Sequence, residues 1–234
     1  MTNQFDEASV VAGLASEKWP YVSTVGMNEV EILLANGQLI DAKAELDKWS
    51  KISPEAVWVN YFLGIVEANN QNYTDSLNYL EAAINGGLDS GDVWLLNGIV
   101  ASQLKLWETA YTSFESSYAR TKNNVALSLL AETQLQLGED AQAVATIKQV
   151  IQNDRDWSAP YVKRAVTFLN YKGKGEEAVE VYEDYLGTSD DIGENLDEVI
   201  QLEVLKSKNG LPLAAKNLKT LLNKKADSPM AVYL

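Results

Sequence analysis

Residues 57–87 read VWVNYFLGIVEANNQNYTDSLNYLEAAINGG. Apolar residues fall at helical spacing on both sides of a polar turn at Gln71 and Asn72. Gly86-Gly87 ends the second half as a left-handed cap would. The stretch predicts two helices of roughly 13 residues joined by a short turn.

The same hairpin recurs along the chain. Small residues stand at Ala42, Ser76, Ala110, Ala143, Ala178 and Ala214, in steps of 34, 34, 33, 35 and 36 residues. A sustained period near 34 is the mark of a solenoid, in which each unit packs only on its neighbours. Six units begin near Ser23, Val57, Gly91, Asn124, Ser158 and Asn195. A second small row lies in the first helices at Val30, Gly64, Gly98, Ala131 and Ala165. Larger residues recur four places after the ladder, at Leu46, Leu80, Phe114, Ile147, Tyr182 and Leu218. Another row follows at Trp49, Ala83, Ser117, Val150, Tyr185 and Leu221. The large rows are expected to fill the space that the small rows leave. Gly37 and Gly138 occupy the turn within units one and four.

These rows resemble the tetratricopeptide repeat (TPR) family, whose unit runs W-x2-L-G-x2-Y, then G, A, F, A and P. Unit three matches through Trp94, Gly98, Trp107 in the turn, Ala110 and Phe114; unit two supplies Leu63, Gly64, Ser76, Leu80 and Ala83, and Pro54 closes unit one. The resemblance covers roughly residues 23 to 225 and implies an all-α, right-handed superhelical solenoid of helix-turn-helix units. Asn97 stands where the family prefers Leu, and the KGKG turn around Lys172 to Gly175 carries an extra residue.

The chain has 33 acidic against 19 basic residues, a net charge of −14. That field repels phosphate backbones and favours a neutral or basic protein or peptide segment, partly apolar, over nucleic acid. Cys and His are both absent. Disulfides, thiolate zinc sites, Cys nucleophiles and imidazole general bases are therefore excluded. No apolar run approaches the ~18 residues of a membrane span. The opening MTNQFDEASVV lacks the basic-then-apolar pattern of a signal peptide.

Outside the units, residues 1–22 read as an N-terminal capping helix over Phe5 to Lys18, and residues 23–226 hold the six repeats. In 227–234, Ser228 and Pro229 suit the start of a further, truncated helix. A solenoid end needs a polar face, and AVYL is apolar. The expectation is a fragment of a longer array, or an end that packs on another chain, so that self-association through this end is open.

Chemical motifs are few. GKGEE at Gly173 to Glu177 lacks the spacing and Ser/Thr of a phosphate loop, and the acidic run Asp190, Asp191, Glu194, Asp197, Glu198 fails the calcium-loop pattern. Asn72-Tyr73-Thr74 matches a glycosylation sequon, but Thr74 also suits a helix N-cap. No catalytic residue, cofactor or metal site is assigned.

By the TPR resemblance, positions 2, 5, 9, 12 and 13 of each unit line a concave groove. They are Trp58, Tyr61, Ile65, Ala68 and Asn69; Asp92, Leu95, Ile99, Ser102 and Gln103; Val125, Ser128, Glu132, Leu135 and Gln136; and Ala159, Val162, Val166, Leu169 and Asn170. The residues expected to bind a peptide or amphipathic helix are Trp58, Tyr61, Ile65, Asn69, Leu95, Ile99, Gln103, Ser128, Glu132, Gln136, Val162 and Asn170. The same apolar residues could instead pack on adjacent units. Family members that hold chaperone C-terminal carboxylates use a clamp of Lys, Asn and Arg. Here those places carry Met27, Glu31, Phe62, Asp92 and Leu96, so the clamp is absent.

The reading is a non-catalytic scaffold within a larger assembly. Its alternatives are an RNA-binding helical repeat of pentatricopeptide type and a carboxylate-based enzyme. The phrase LLAETQLQLGEDAQAVATIKQVI also resembles the long TPR lipoproteins of bacterial exopolysaccharide export and PEP-CTERM sorting. That likeness implies the cell envelope, against a cytoplasmic adaptor.

Overall fold

The computed structural model describes residues 2–187 and 196–212, together with 214, 216, 217 and 219. No strand occurs among the described residues. The chain divides into two compact units, Met1–Lys122 and Asn123–Leu234. Unit 1 holds α1 (Thr2–Lys18), α2 (Ser23–Ala35), α3 (Leu39–Ile52), α4 (Val57–Asn69), α5 (Tyr73–Asn85), α6 (Gly91–Gln103) and α7 (Trp107–Thr121). Unit 2 holds α8 (Asn124–Leu137), α9 (Asp140–Asn153), α10 (Arg155–Tyr171), α11 (Gly175–Leu186) and α12 (Leu196–Lys208). This is an all-α helical-repeat fold in both units. The pairs α2/α3, α4/α5, α6/α7, α8/α9 and α10/α11 are the hairpins expected from the ladder.

Every ladder residue from Ala42 to Ala214 is buried. The reason is steric. A Cβ added at Gly64 would stand 2.7 Å from Leu80, and one at Gly98 would stand 2.6 Å from Phe114. Small residues on the first helix thus admit the large row of the second. Asn97 is buried at the place where the family prefers leucine; the Ser113 hydroxyl donates a hydrogen bond to its side-chain oxygen at 2.7 Å, while its side-chain nitrogen has no partner.

The turn within each of these hairpins has one left-handed residue at a fixed place, namely Gly37, Gln71, Lys105, Gly138 and Gly173, and Gly210 takes the same conformation after α12. In the second hairpin the Gln71 N–H bonds Ala68 O and the Asn72 N–H bonds Glu67 O, the paired bonds of a Schellman end. Sequence alone found Gly37 and Gly138, because glycine announces positive φ. Gln71 and Lys105 adopt it without that signal, at a cost of about 1 kcal/mol each.

Two expectations change. Unit five does not begin at Ser158. Its first helix begins at Arg155, because the Asp154 side chain accepts the Trp157 N–H at 3.0 Å and so caps the helix earlier. Thr74 is not a cap, since α5 starts at Tyr73 with Asn72 in the cap place. On α1, Val10, Val11 and Leu14 are 63, 65 and 60% exposed. The expectations for Asp190, Asp191, Glu194, Leu218, Leu221, Ser228 and Pro229 lie outside the described residues, as does the segment 227–234.

One buried ion pair ties the first hairpin to the second. The Glu67 carboxylate on α4 is buried and accepts hydrogen bonds from the Lys43 ammonium and, at 2.7 Å, from the Asn72 amide. Both partners, Lys43 first, hold the Glu67 carboxyl below its ordinary value of 4.5. A carboxyl depressed in the folded state contributes stability above the unfolded value and loses it as pH falls through the folded one. Between about pH 5 and pH 3 the denaturation midpoint of the wild type is therefore expected to fall more steeply than that of Glu67→Gln. At pH 7 that variant should be less stable by about 1 kcal/mol, because the half-exposed Lys43 is partly screened. Parallel pH profiles would contradict this account.

Candidate functional site

The first helices α2, α4 and α6 bring Glu31, Tyr61 and Asp92 together in unit 1. Tyr61 is half-buried, with its ring 5.3 Å from that of Phe62. Burial raises the Tyr61 hydroxyl above its ordinary pKa, and the negative charges of Asp92 and Glu31 push it the same way. The phenol is therefore neutral at physiological pH and keeps its proton to donate. Glu31 and Asp92 are exposed. A cationic group at this place would meet two carboxylates and an aromatic ring, while an anion would meet only repulsion.

Apolar surface flanks this acidic point. Leu95 is half-buried and Ile99, one turn on along α6, is exposed. Ile65 is half-buried on α4, one turn from Tyr61. Gln103 is exposed. The exposed Asn69 donates its amide to the Ile65 carbonyl of its own helix at 2.9 Å, which leaves its side-chain oxygen to accept. Trp58, Tyr61 and Ile65 owe their partial burial to the core of unit 1, against which their inner edges pack. Trp58 is tied further, since its indole N–H donates to the Ser23 hydroxyl at 2.8 Å and its ring meets Trp49 edge-on at 5.5 Å. It is mainly a packing residue.

Unit 2 does not repeat this face. Ser128 and Val162 are 2% and 0% exposed, so neither can touch a peptide on the surface. Leu135 and Leu169 are buried as well. The cause is local: Val162 sits against α8 and α9, where it closes a small cavity with Ser128, Ala131, Ile147 and Val150. Glu132 is paired with the Arg164 guanidinium, whose Nε donates to it at 2.9 Å. Glu132 and Gln136 do line an opening of about 170 Å³ with Arg164 and Phe168. Asn170 accepts a hydrogen bond from the Asn209 amide at 3.2 Å.

Sequence reasoning missed the Glu132–Arg164 pair and the Lys148–Glu180 pair. Both join residues 32 apart, close to one repeat length. A search for opposite charges at near-repeat separation would have found them. Among the described residues there is no group of three or more acidic side chains that could hold a metal, and no helix long and apolar enough to cross a membrane.

A ladder of small residues and Schellman-ended hairpins define an all-α helical-repeat fold of the kind TPR proteins have. Solved structures agree. The TPR protein YrrB, described as having an unusual peptide-binding site, is 19% identical over 83% of this chain and 98% of its own, with a TM-score of 0.69. MamA from Desulfovibrio magneticus RS-1 is 16% identical over 70% of this chain and 92% of its own (TM-score 0.60). TTC0263, a TPR protein of Thermus thermophilus, is 17% identical over 72% and 92% (TM-score 0.52). At such identities the likeness establishes the fold alone. No protein-family model and no curated protein matches the sequence. Nothing in these likenesses supports the envelope lipoprotein type.

Proposed function

We propose that this chain is a non-catalytic scaffold that binds a basic or neutral, partly apolar peptide or amphipathic helix on the face made by α2, α4 and α6. The observation that carries the reading is the half-buried Tyr61, whose hydroxyl feels the negative charges of Asp92 and Glu31. Leu95, Ile99 and Ile65 supply apolar anchorage, and Gln103 and the Asn69 oxygen fix register by hydrogen bonds. The peptide-binding site named for YrrB lies on the same fold. Absence of His and Cys supports a binding role over catalysis. Acid at the centre of the face favours a peptide over RNA.

The test is a display library of random 12-residue peptides, selected on the whole protein and followed by titration of the winners. Selected sequences should carry Lys or Arg beside Leu, Ile or aromatic residues. The exposed pair Glu31→Lys and Asp92→Lys, which leaves the core untouched, should weaken these peptides at least ~10-fold and favour acidic ones. Tyr61→Asp with Leu95→Asp should weaken both classes. Equal affinity for wild type and the charge-reversed variant would sink the proposal.

A further inference from the structure

Unit 2 carries an opening whose charge is opposite to that of the Tyr61 face. It measures about 350 Å³ and lies between α10 and α12, with Tyr182 of α11 at its border. Val166, Val204 and Leu205 give it an apolar stretch. Its rim is cationic, for Lys163 of α10 and Lys208 of α12 both line it and both are exposed. The chain has 33 acidic residues, yet no described residue lining this opening is acidic.

The amides beside the lysines are set to donate. The Tyr182 hydroxyl donates to the Gln201 side-chain oxygen at 3.2 Å, which leaves the Gln201 nitrogen to donate in turn. The Asn209 amide donates to the Asn170 side-chain oxygen at 3.2 Å, so the Asn170 nitrogen is left in the same way. That second bond also sets the ends of α10 and α12 side by side. Seven residues back from Asn170 and Lys208 stand Lys163 and Gln201, two helical turns or about 10 Å away. Each end of the opening thus holds one lysine and one amide donor. Four such donors fit anions. Two ends about 10 Å apart match carboxylates at i and i+7 of a helix, whose i+3 and i+4 side chains then fall on the apolar stretch. An extended strand fits less well. It needs acceptors for its free backbone N–H groups, and the Gln201 and Asn170 oxygens are already engaged. A helix satisfies its own.

We infer that the opening between α10 and α12 is a docking site for an acidic amphipathic helix of a partner protein, with carboxylates seven residues apart and apolar side chains between them. It shares no residue with the Tyr61 face, and the two readings stand or fall separately.

The probe is a fluorescein-labelled synthetic helix of about 15 residues, with two glutamates seven residues apart flanking a pair of leucines. Anisotropy titration on the whole protein is expected to show micromolar binding. An isomer of the same composition, with the glutamates three residues apart, should bind at least ~5-fold more weakly. Lys163→Glu with Lys208→Glu, both at exposed positions, should weaken the probe at least ~10-fold. Lys51→Glu with Lys105→Glu, exposed positions in the other unit, bring the same change in net charge and should leave binding as it is. The chain has no cysteine, so Thr167→Cys, at an exposed position on the lining, gives a local readout. The probe should slow alkylation of that thiol. No micromolar binding, equal affinity for the isomer, equal affinity after both lysine reversals, or an unprotected thiol at residue 167 would each overturn the inference. So would protection in the protein alone that grows with its concentration, together with a dimer in light scattering, since a second copy would then be the occupant.

Discussion

Replacing Gly98 by leucine is expected to cost about 3 kcal/mol of stability and to loosen the third hairpin. Gly98 lies in the middle of α6, where alanine would ordinarily stabilise by ~0.5–1 kcal/mol through the entropy of the unfolded chain. Here the first added carbon already stands 2.6 and 2.7 Å from ring atoms of Phe114, which is buried between the two helices and has nowhere to turn. Even Gly98→Ala should therefore destabilise. Gly13→Ala supplies the contrast, because Gly13 is helical and a Cβ there would meet nothing within 4 Å. That change should raise stability by ~0.5–1 kcal/mol. Urea denaturation of the two alanine variants reads the signs directly. Trimming Phe114 to alanine in the Gly98→Leu background should recover part of the loss, with a coupling of about 1–2 kcal/mol in a double-mutant cycle. Equal signs at residues 13 and 98, or strict additivity with Phe114, would show that the small row is not set by packing.

Trp49→Ala is expected to be more severe, at about 4 kcal/mol. Trp49 is among the largest fully buried side chains. Its ring covers Gly26, where an added Cβ would fall 2.0 Å from the indole nitrogen, and meets Trp58 edge-on. The indole N–H donates to Glu45 at 2.9 Å. Removal opens a cavity shared by α2, α3 and α4, and repeats depend on their neighbours for a closed core. The loss should thus show as earlier melting of the 1–122 unit, visible as loss of near-UV signal and faster proteolysis between α1 and α4. Trp49→Phe, which keeps an aromatic ring over Gly26, should cost roughly half as much. A loss below ~1 kcal/mol for the alanine variant would contradict this packing.

The hairpins were legible in the sequence because helix pairing is a local matter of size. Gly64 against Leu80 and Gly98 against Phe114 are far apart along the chain but in fixed register, so the period exposes them. Groove assignments carried less well. Tyr61, Leu95 and Ile99 proved partly or fully accessible, whereas Ser128 and Val162 did not, although the same positional rule named all five. That rule takes no account of what packs against each position: Ser128 of α8 and Val162 of α10 border one small cavity with Ile147 and Val150 of α9, and both are buried there. Trp58 illustrates a second reason: the acceptor of its indole N–H, Ser23, lies 35 residues away, and nothing in the stretch around residue 58 announces it.

The sequence by itself determined the all-α repeat, the pairing of its helices into hairpins, and the acidity that disfavours nucleic acid. Those follow from periodicity and composition, which need no coordinates. Tertiary structure decided which side chains of a periodic row stay open. Exposure depends on the helix that arrives from the neighbouring repeat, not on the residue itself. The same positions are sealed at Val59 and Val66, in the core that α2, α3 and α4 share, and only half-buried at Val25 and Ile32, where α1 packs on α2 but leaves an opening.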